Sequence, residues 1–229
     1  MEFTKLSNRL DLVASFVPEG AHLLDVGSDH AYLPIALLQE GKIEAAIAGE
    51  VVEGPYQSAL QNVADNGLED KIEVRLANGL AAFELTDGIS CITIAGMGGR
   101  LIADILAAGL EKLASVSRLV LQPNNREDEL RAWLVDHNFR LVDEAILEEN
   151  EKFYEILVVE QGSQELSAKE LRFGPYLMLE QAPAFVQKWS KEVEKLAFAL
   201  EQVPVENQSA RASLEERIAH IKEVLHVSK

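Results

Sequence analysis

Four residues in "LLDVGSDHAYLPIALL", namely Asp25, Gly27, Ser28 and Asp29, pose the first chemical question. An apolar run precedes them and an apolar, helix-like run follows, so they occupy the turn of a strand-turn-helix unit, where α/β proteins hold nucleotides. A diphosphate-binding turn would read G-x-G-x-x-G, and only Gly27 matches. Asp29 stands where glycine would be wanted, and a carboxylate there repels a diphosphate. The turn therefore favours a nucleoside that carries positive charge and no phosphate. S-adenosylmethionine, with its sulfonium and ammonium, is such a ligand: Asp25 and Asp29 would bear on its amino acid end, and Gly27 would give it room. The competing reading is that Asp29 caps the helix beginning near Ala31.

Further candidates follow at the ends of the next apolar runs. Glu50 lies 23 residues after Gly27 in "AGEVVEGP", where a nucleoside fold keeps an acid for the ribose hydroxyls; Val51 follows it, and Glu53 is a rival. Asn78 and Gly79 in "ANGLAAF" could offer an amide to an adenine edge, or could simply make a turn. "TIAGMGGRLI" places three glycines around Met97 at a strand end, a pattern that implies close backbone approach to something. It is not the D-P-P-Y signature that grips an exocyclic amine. "LQPNN", Gln122 to Asn125, brings side-chain amides to the same rim, where they could meet an adenine edge or cap the helix from Arg126.

These positions make sense only on a particular scaffold. The strands expected are 22–27, 45–51, 72–77, 91–96 and 118–123, separated by helices at 32–40, 54–67, 79–84 and 99–113 after an amphipathic helix around Leu6 to Phe16. A helix at 126–138 and two strands, 139–149 and 152–161, complete the series. Strands alternating with helices indicate a parallel sheet with crossovers, here a seven-stranded doubly wound α/β layout closed by a hairpin. Beyond it the pattern changes. Val186, Trp189, Val193, Leu196 and Leu200, then Leu214, Ile218, Ile221 and Leu225, form two seams at spacings of 3 and 4, as in a two-helix antiparallel coiled coil broken at Pro204. Pro183 bends the first of these helices or ends a preceding turn. The expected division is 1–162 for a Rossmann-like cofactor-binding catalytic domain and 163–229 for the coiled coil.

Of 229 residues, 48% are apolar, enough for a substantial core. The opening residues lack a basic stretch followed by an apolar run, and no stretch approaches a membrane span, so a cytoplasmic protein is expected. The lone Cys91, in "SCITIAG", reads as a core residue and not a nucleophile. The formal charge of −17 argues against a polyanionic partner, but residues 1–162 carry 12 basic and 28 acidic side chains while 163–229 carry 9 and 10. A polyanion would be met by the second part. There Lys188, Lys191 and Lys195 share one helix face beside Trp189, as phosphate contacts or as an ordinary solvated face.

The blocks "LSNRL", "LLDVGSDHAYLP", "AGEVVEGPYQSA", "ANGL", "IAGMGG", "LVLQPN" and "LRFGPYL" together resemble the bacterial tRNA (adenine-22-N1)-methyltransferases, the TrmK family, over nearly the whole chain. The resemblance implies a class I methyltransferase with a helical C-terminal coiled coil, using S-adenosyl-L-methionine to methylate N1 of adenine at tRNA position 22. By motif, Asp25, Gly27, Ser28 and Asp29 would line the methionine end, Glu50 would hold the ribose, Val51 would also touch the cofactor, and Asn78 with Gly79 would face the adenine. Gly96 and Met97, then Gly98 and Gly99, would border the pocket where the target base enters. Such a transfer needs neither a metal nor a covalent intermediate. It needs an extruded base and a carboxylate for the positive charge that develops. Asp29 is the first candidate for that role, and Asn124, whose amide could bond the adenine edge, is the other catalytic candidate. Arg9, His30 and Tyr32 are candidate substrate contacts, with tRNA as partner and a monomer as the working unit.

Overall fold

The computed structural model describes residues 4–226. Strands β1 (Ala21–Val26), β2 (Ile43–Glu50), β3 (Ile72–Leu76), β4 (Cys91–Met97), β5 (Arg118–Pro123), β6 (Phe139–Glu149) and β7 (Lys152–Gln161) form one sheet in the order β3-β2-β1-β4-β5-β7-β6. The first five are parallel, and β7 runs antiparallel to both neighbours. β1 is buried on both faces, as a central parallel strand must be, whereas edge strand β6 alternates buried and open positions.

Because side chains alternate along a strand, successive residues of β1 feed two cores. Leu24 and Val26 meet Ile92, Ile94 and the inner faces of α4 (Gly99–Ala107) and α5 (Glu127–Asp136). Leu23 meets the faces of α1 (Asn8–Ser15), α2 (Tyr32–Gln39) and α3 (Glu53–Asp65) through Val13, Leu33 and Ala59. Cys91 belongs to that second core, and burial pushes its thiol up to about 12, which fits a core residue.

Two expected helices shorten. The segment at 79–84 is a 3₁₀ turn, Gly79–Ala82, and α4 ends at Ala107 before a 3₁₀ turn at Leu110–Ser115. Gly109 lies at that break, where a Cβ would fall 2.8 Å from the Cβ of Leu80.

The last quarter holds four helices: α6 (Ala168–Phe173), α7 (Pro175–Glu180), α8 (Pro183–Gln202) and α9 (Gln208–His226). The first two, each six residues, are too short to show a helical period. Their local chemistry is nevertheless explicit: Ser167 and Glu170 form a reciprocal capping box, and Gly174 (φ +82°) with Pro175 separates the pair. Pro183 is the first residue of α8 and bends nothing. α8 and α9 run antiparallel, since Arg211 donates to the Leu200 carbonyl at one end and Gln181 to the Val224 carbonyl near the other. The expected seam shifts at its start. Val186 is 38% exposed, and Phe185 is buried in its place with Trp189 and Leu196. The reason is that α8 packs on Ile146, Phe173 and Leu177 as well as on Ile221 and Val224 of α9.

A buried ionic cluster pins these helices to the sheet. Arg131 of α5 donates to Glu144 of β6 at 2.7 Å, to Glu155 of β7 and to the Leu171 carbonyl of α6. Glu144 also accepts the Tyr176 N–H, and Lys188 of α8 donates to Glu155 at 2.7 Å.

Candidate active site at the carboxyl ends of the strands

Asp25 is buried at the end of β1, its two oxygens accepting the Ser28 and Thr93 hydroxyls, each at 2.6 Å. Burial raises its pKa, against the lowering effect of those two bonds. Asp25 thus fastens the turn instead of projecting from it, and Thr93, absent from the expected set, is its partner. Gly27 (φ +68°) is required by its backbone angle, and the end of the Met97 side chain occupies the space that a Cβ there would take.

Three consecutive non-glycine residues then adopt left-handed angles, Asp29 (φ 44°), His30 (φ 69°) and Ala31 (φ 59°). Ala31 occupies the N-cap of α2, which has no side-chain cap, so Asp29 does not cap the helix. Its carboxyl is 85% exposed and lies 3.6 Å from the His30 ring nitrogen. The rings of His30 and Tyr32 lie 5.4 Å apart at the same rim. Two bonds hold this turn from outside: Glu50 Oε1 accepts the Asp29 N–H at 2.6 Å, and Asn62 donates to the His30 carbonyl at 3.0 Å. Asn62, on α3, has no signal in the sequence that would single it out.

Glu50 is 5% exposed, and burial raises its pKa, with Asp25 and Asp29 adding to the effect and the Asp29 N–H opposing it. Its rival Glu53 sits in the first turn of α3 and bonds Gln57. Val51 is open at the rim. Asn78 is exposed at the end of β3, but Gly79 is buried, and its missing side chain makes room for Ile105, which a Cβ would meet at 2.9 Å. The absence of a side chain at Gly79 therefore serves the packing of α4.

The glycine run after β4 answers a similar question. Gly96 (φ +79°) is exposed at a register shift between β4 and β5. A Cβ on Gly99 would fall 2.6 Å from the Arg126 carbonyl oxygen, one on Gly98 would sit 3.1 Å from Asn125 Oδ1, and the Gly99 N–H donates to the Asn125 carbonyl. The close approach that Gly98 and Gly99 make within the chain is to the neighbouring β5–α5 loop.

Gln122 ties this rim together. Fully buried, its Oε1 accepts Arg9 Nη1 at 2.6 Å and the Gly96 N–H at 3.0 Å, while its Nε2 donates to Asn124 Oδ1 at 3.1 Å and to the Pro123 carbonyl at 2.8 Å. Asn124 in turn donates to the Gly96 carbonyl at 2.7 Å. The Gln122 amide is thus used internally, which overturns its reading as an adenine contact, and Asn124 is the exposed amide that it orients. Arg9 also lies 5.6 Å over the Tyr154 ring.

The three lysines divide. Lys188 is held by Glu155 at 2.7 Å and Glu127 at 3.2 Å, so its charge is spent inside the protein and does not form part of an open basic row. Lys191 lies 3.4 Å from Glu148 and over Phe153, and Lys195 is 81% exposed. Together with Asn124 and Asn125 these lysines border a cleft of about 760 Å³ between the sheet rim and the C-terminal helices. Among the described residues, no group of three or more His, Cys, Asp or Glu is arranged to hold a metal, and no helix is long and apolar enough to cross a membrane.

Five parallel strands, an antiparallel hairpin at the edge and polar groups at the ends of β1, β2, β4 and β5 define a Rossmann-like methyltransferase fold with a helical C-terminal region. Residues 23–223 match the family model for TrmK, tRNA (adenine(22)-N(1))-methyltransferase, and the chain belongs to that family. The tRNA (adenine(22)-N(1))-methyltransferase of Bacillus subtilis (strain 168) is 41% identical over 237 residues, covering 98% of this chain and 99% of that protein. Sp1610 of Streptococcus pneumoniae, solved in complex with S-adenosyl-L-methionine, is 66% identical, with a TM-score of 0.90 over 97% of this chain and 100% of that one. TrmK of M. capricolum, solved with S-adenosyl-homocysteine, is 29% identical, with a TM-score of 0.83 over 98% and 99% of the two chains.

Proposed function

We propose that this chain transfers the methyl group of S-adenosyl-L-methionine to N1 of adenine 22 in tRNA. The observation that carries this reading is family membership over residues 23–223, joined to an acidic turn that suits a cationic nucleoside and not a diphosphate. Glu50 supports the ribose role because one of its oxygens takes the Asp29 N–H, while the other has no hydrogen-bond partner among the described residues. Asp25 and Ser28 brace the methionine end through the turn, Gly27 and Met97 border it, and Val51 and Asn78 flank the adenine.

When bound, the sulfonium supplies an activated methyl group, so the protein's work is positioning and charge compensation. The target adenine reaches the site extruded from its helix. Asn124, oriented by Gln122, presents an amide to its edge. His30 and Tyr32 line its approach, and Arg9, held by Gln122 beside Tyr154, closes the far side. As the ring becomes cationic, the open carboxylate of Asp29 lowers the energy of that charge. Lys191 and Lys195 face the RNA backbone. In this reading residues 1–162 carry catalysis, residues 163–229 form an antiparallel coiled-coil unit that guides tRNA, and the enzyme works as a monomer in the cytoplasm.

Incubation with labelled cofactor and unmodified tRNA, followed by nuclease digestion and mass spectrometry, tests the reading. Label in N1-methyladenine at position 22 is the expected result. Label only in protein or a small molecule would replace tRNA as substrate, and no cofactor affinity by calorimetry would remove the enzyme reading altogether.

A further inference from the structure

The cleft beside Asn124 differs in charge from the rest of the molecule. Six of its fifteen lining residues are Lys or Arg against four Asp or Glu, in a chain of net charge −17. Most of those cations are already engaged: Arg126, Lys188, Lys191 and Lys195 each have a carboxylate within 4 Å. Arg172 does not. Among the described residues it makes no ion pair and no side-chain hydrogen bond, although it is half-buried. Its guanidinium lies 5.0 Å from the centre of the Phe173 ring and 5.6 Å from that of Trp189, within cation–π range, while its donors go unused among the described residues. Arg217 is a like charge close enough to act against it, while Glu192 and Asp128 act in its favour from beyond ion-pair distance. Beside it, the buried indole N–H of Trp189 has no acceptor among the described residues.

A partly desolvated cation whose nearest carboxylates stand beyond 4 Å is incompletely compensated in the unliganded protein, and an arriving anion completes the compensation. A guanidinium placed against aromatic rings offers a fork suited to phosphate oxygens. Phe153 and Tyr154 also line the cleft, with Lys191 over the one ring and Arg9 over the other. Lys152, exposed and without a carboxylate within 4 Å among the described residues, stands at the mouth.

We propose that this cleft seats the tRNA backbone next to the target nucleoside, with Arg172 as its principal phosphate-binding side chain and Lys152 as a second. This rests on the tRNA reading above and assigns a role to "LRFGPYL", a block that the cofactor site leaves unused.

The test uses the full-length protein, an unmodified tRNA transcript and three variants: Arg172→Gln, Lys152→Gln and, from the opposite end of the sheet, Lys71→Gln. Fluorescence anisotropy at several salt concentrations reads RNA binding, calorimetry reads S-adenosyl-L-methionine binding, and thermal melting reports folding. Arg172→Gln should weaken tRNA binding about five- to tenfold and flatten the salt dependence by about one phosphate contact, with cofactor affinity within twofold of the parent. Lys152→Gln should lose about two- to threefold, and Lys71→Gln nothing. A folded Arg172→Gln that binds tRNA as the parent does overturns the proposal. Should that variant fail to fold, an unchanged Lys152→Gln overturns it instead. If the parent methylates tRNA while neither variant matters, this inference fails alone; if the parent neither binds nor methylates tRNA, the functional reading fails first.

Discussion

Glu50 at the end of β2 receives the backbone N–H of Asp29 at 2.6 Å, and so holds the turn after β1 in angles that its residues disfavour. A left-handed non-glycine residue costs roughly 1–2 kcal/mol, less for Asp, and the turn has three in succession. Strain of this kind persists where the surroundings over-determine it, here through Glu50 and Asn62. The same bond predicts a conflict between stability and function. Burial raises the Glu50 pKa, so its contribution to stability is complete below the ordinary carboxyl value and is lost as pH rises through the folded-state value. At neutral pH the ionised group therefore costs stability. Glu50→Gln keeps an acceptor for Asp29 and removes the charge. It should melt higher than the parent at neutral pH, with the gap closing on acidification, and bind S-adenosyl-L-methionine at least about tenfold more weakly. Melting curves at two pH values and calorimetry decide it; a lower melting point at neutral pH would contradict the argument.

Asp29 separates charge from backbone. Asn tolerates left-handed angles about as well as Asp, and the Asp29 side chain is largely exposed, so Asp29→Asn should stay within about 0.5 kcal/mol of the parent by urea unfolding. Methyl transfer should nevertheless fall at least about tenfold, because the carboxylate opposite the developing cation is gone. Unchanged turnover would return Asp29 to a structural part of the turn.

Gln122 offers a test of positioning. Gln122→Glu can still accept from Arg9 and from the Gly96 N–H, but it cannot donate to Asn124 Oδ1 or the Pro123 carbonyl. The variant should lose roughly 1–3 kcal/mol of stability by leaving acceptors unpaired. Its kcat should drop about tenfold or more while cofactor affinity stays within about twofold, since the altered bonds orient Asn124 and not the cofactor turn. A parent-like kcat would remove Gln122 from the catalytic geometry.

The strands and the Glu50 turn were legible because apolar runs of strand length, each ended by a polar residue, can be accommodated in few other ways. The glycines were legible as close approaches, but a one-dimensional string does not name the partner: Gly99 turned out to meet Arg126, and Gly79 to meet Ile105. Lys188 misled for a related reason. Its helical spacing places it in a basic row, whereas Glu155, 33 residues earlier on a different element, claims its charge. Arg131 gave no signal at all, because an arginine within an amphipathic helix reads as solvated until β6 and β7 are seen to bury it between two glutamates.

That cluster yields the last prediction. Arg131 is fully buried between Glu144 and Glu155, and only Glu155 also faces Lys188. The two carboxyls accordingly shift in opposite directions. For Glu144 burial outweighs Arg131 and the pKa rises; for Glu155 burial acts the same way, but Arg131 and Lys188 together prevail and it falls. A depressed carboxyl contributes stability above its ordinary value and loses it as pH falls through the folded-state value, so Glu155 supports the fold at neutral pH. Glu155→Gln should therefore be less stable than the parent by about 1–3 kcal/mol near pH 7, with the difference shrinking toward about pH 4 and below. Arg131→Met, which strands two buried carboxylates, should cost more, about 3–5 kcal/mol. Urea unfolding followed by tryptophan fluorescence checks both, because of the two tryptophans Trp189 adjoins Lys188 on α8 and Trp133 shares α5 with Arg131. If Glu155→Gln were as stable as the parent at neutral pH, the charges of this cluster would contribute no net stability, and apolar packing around Phe173 and Phe185 alone would hold the C-terminal helices to the sheet.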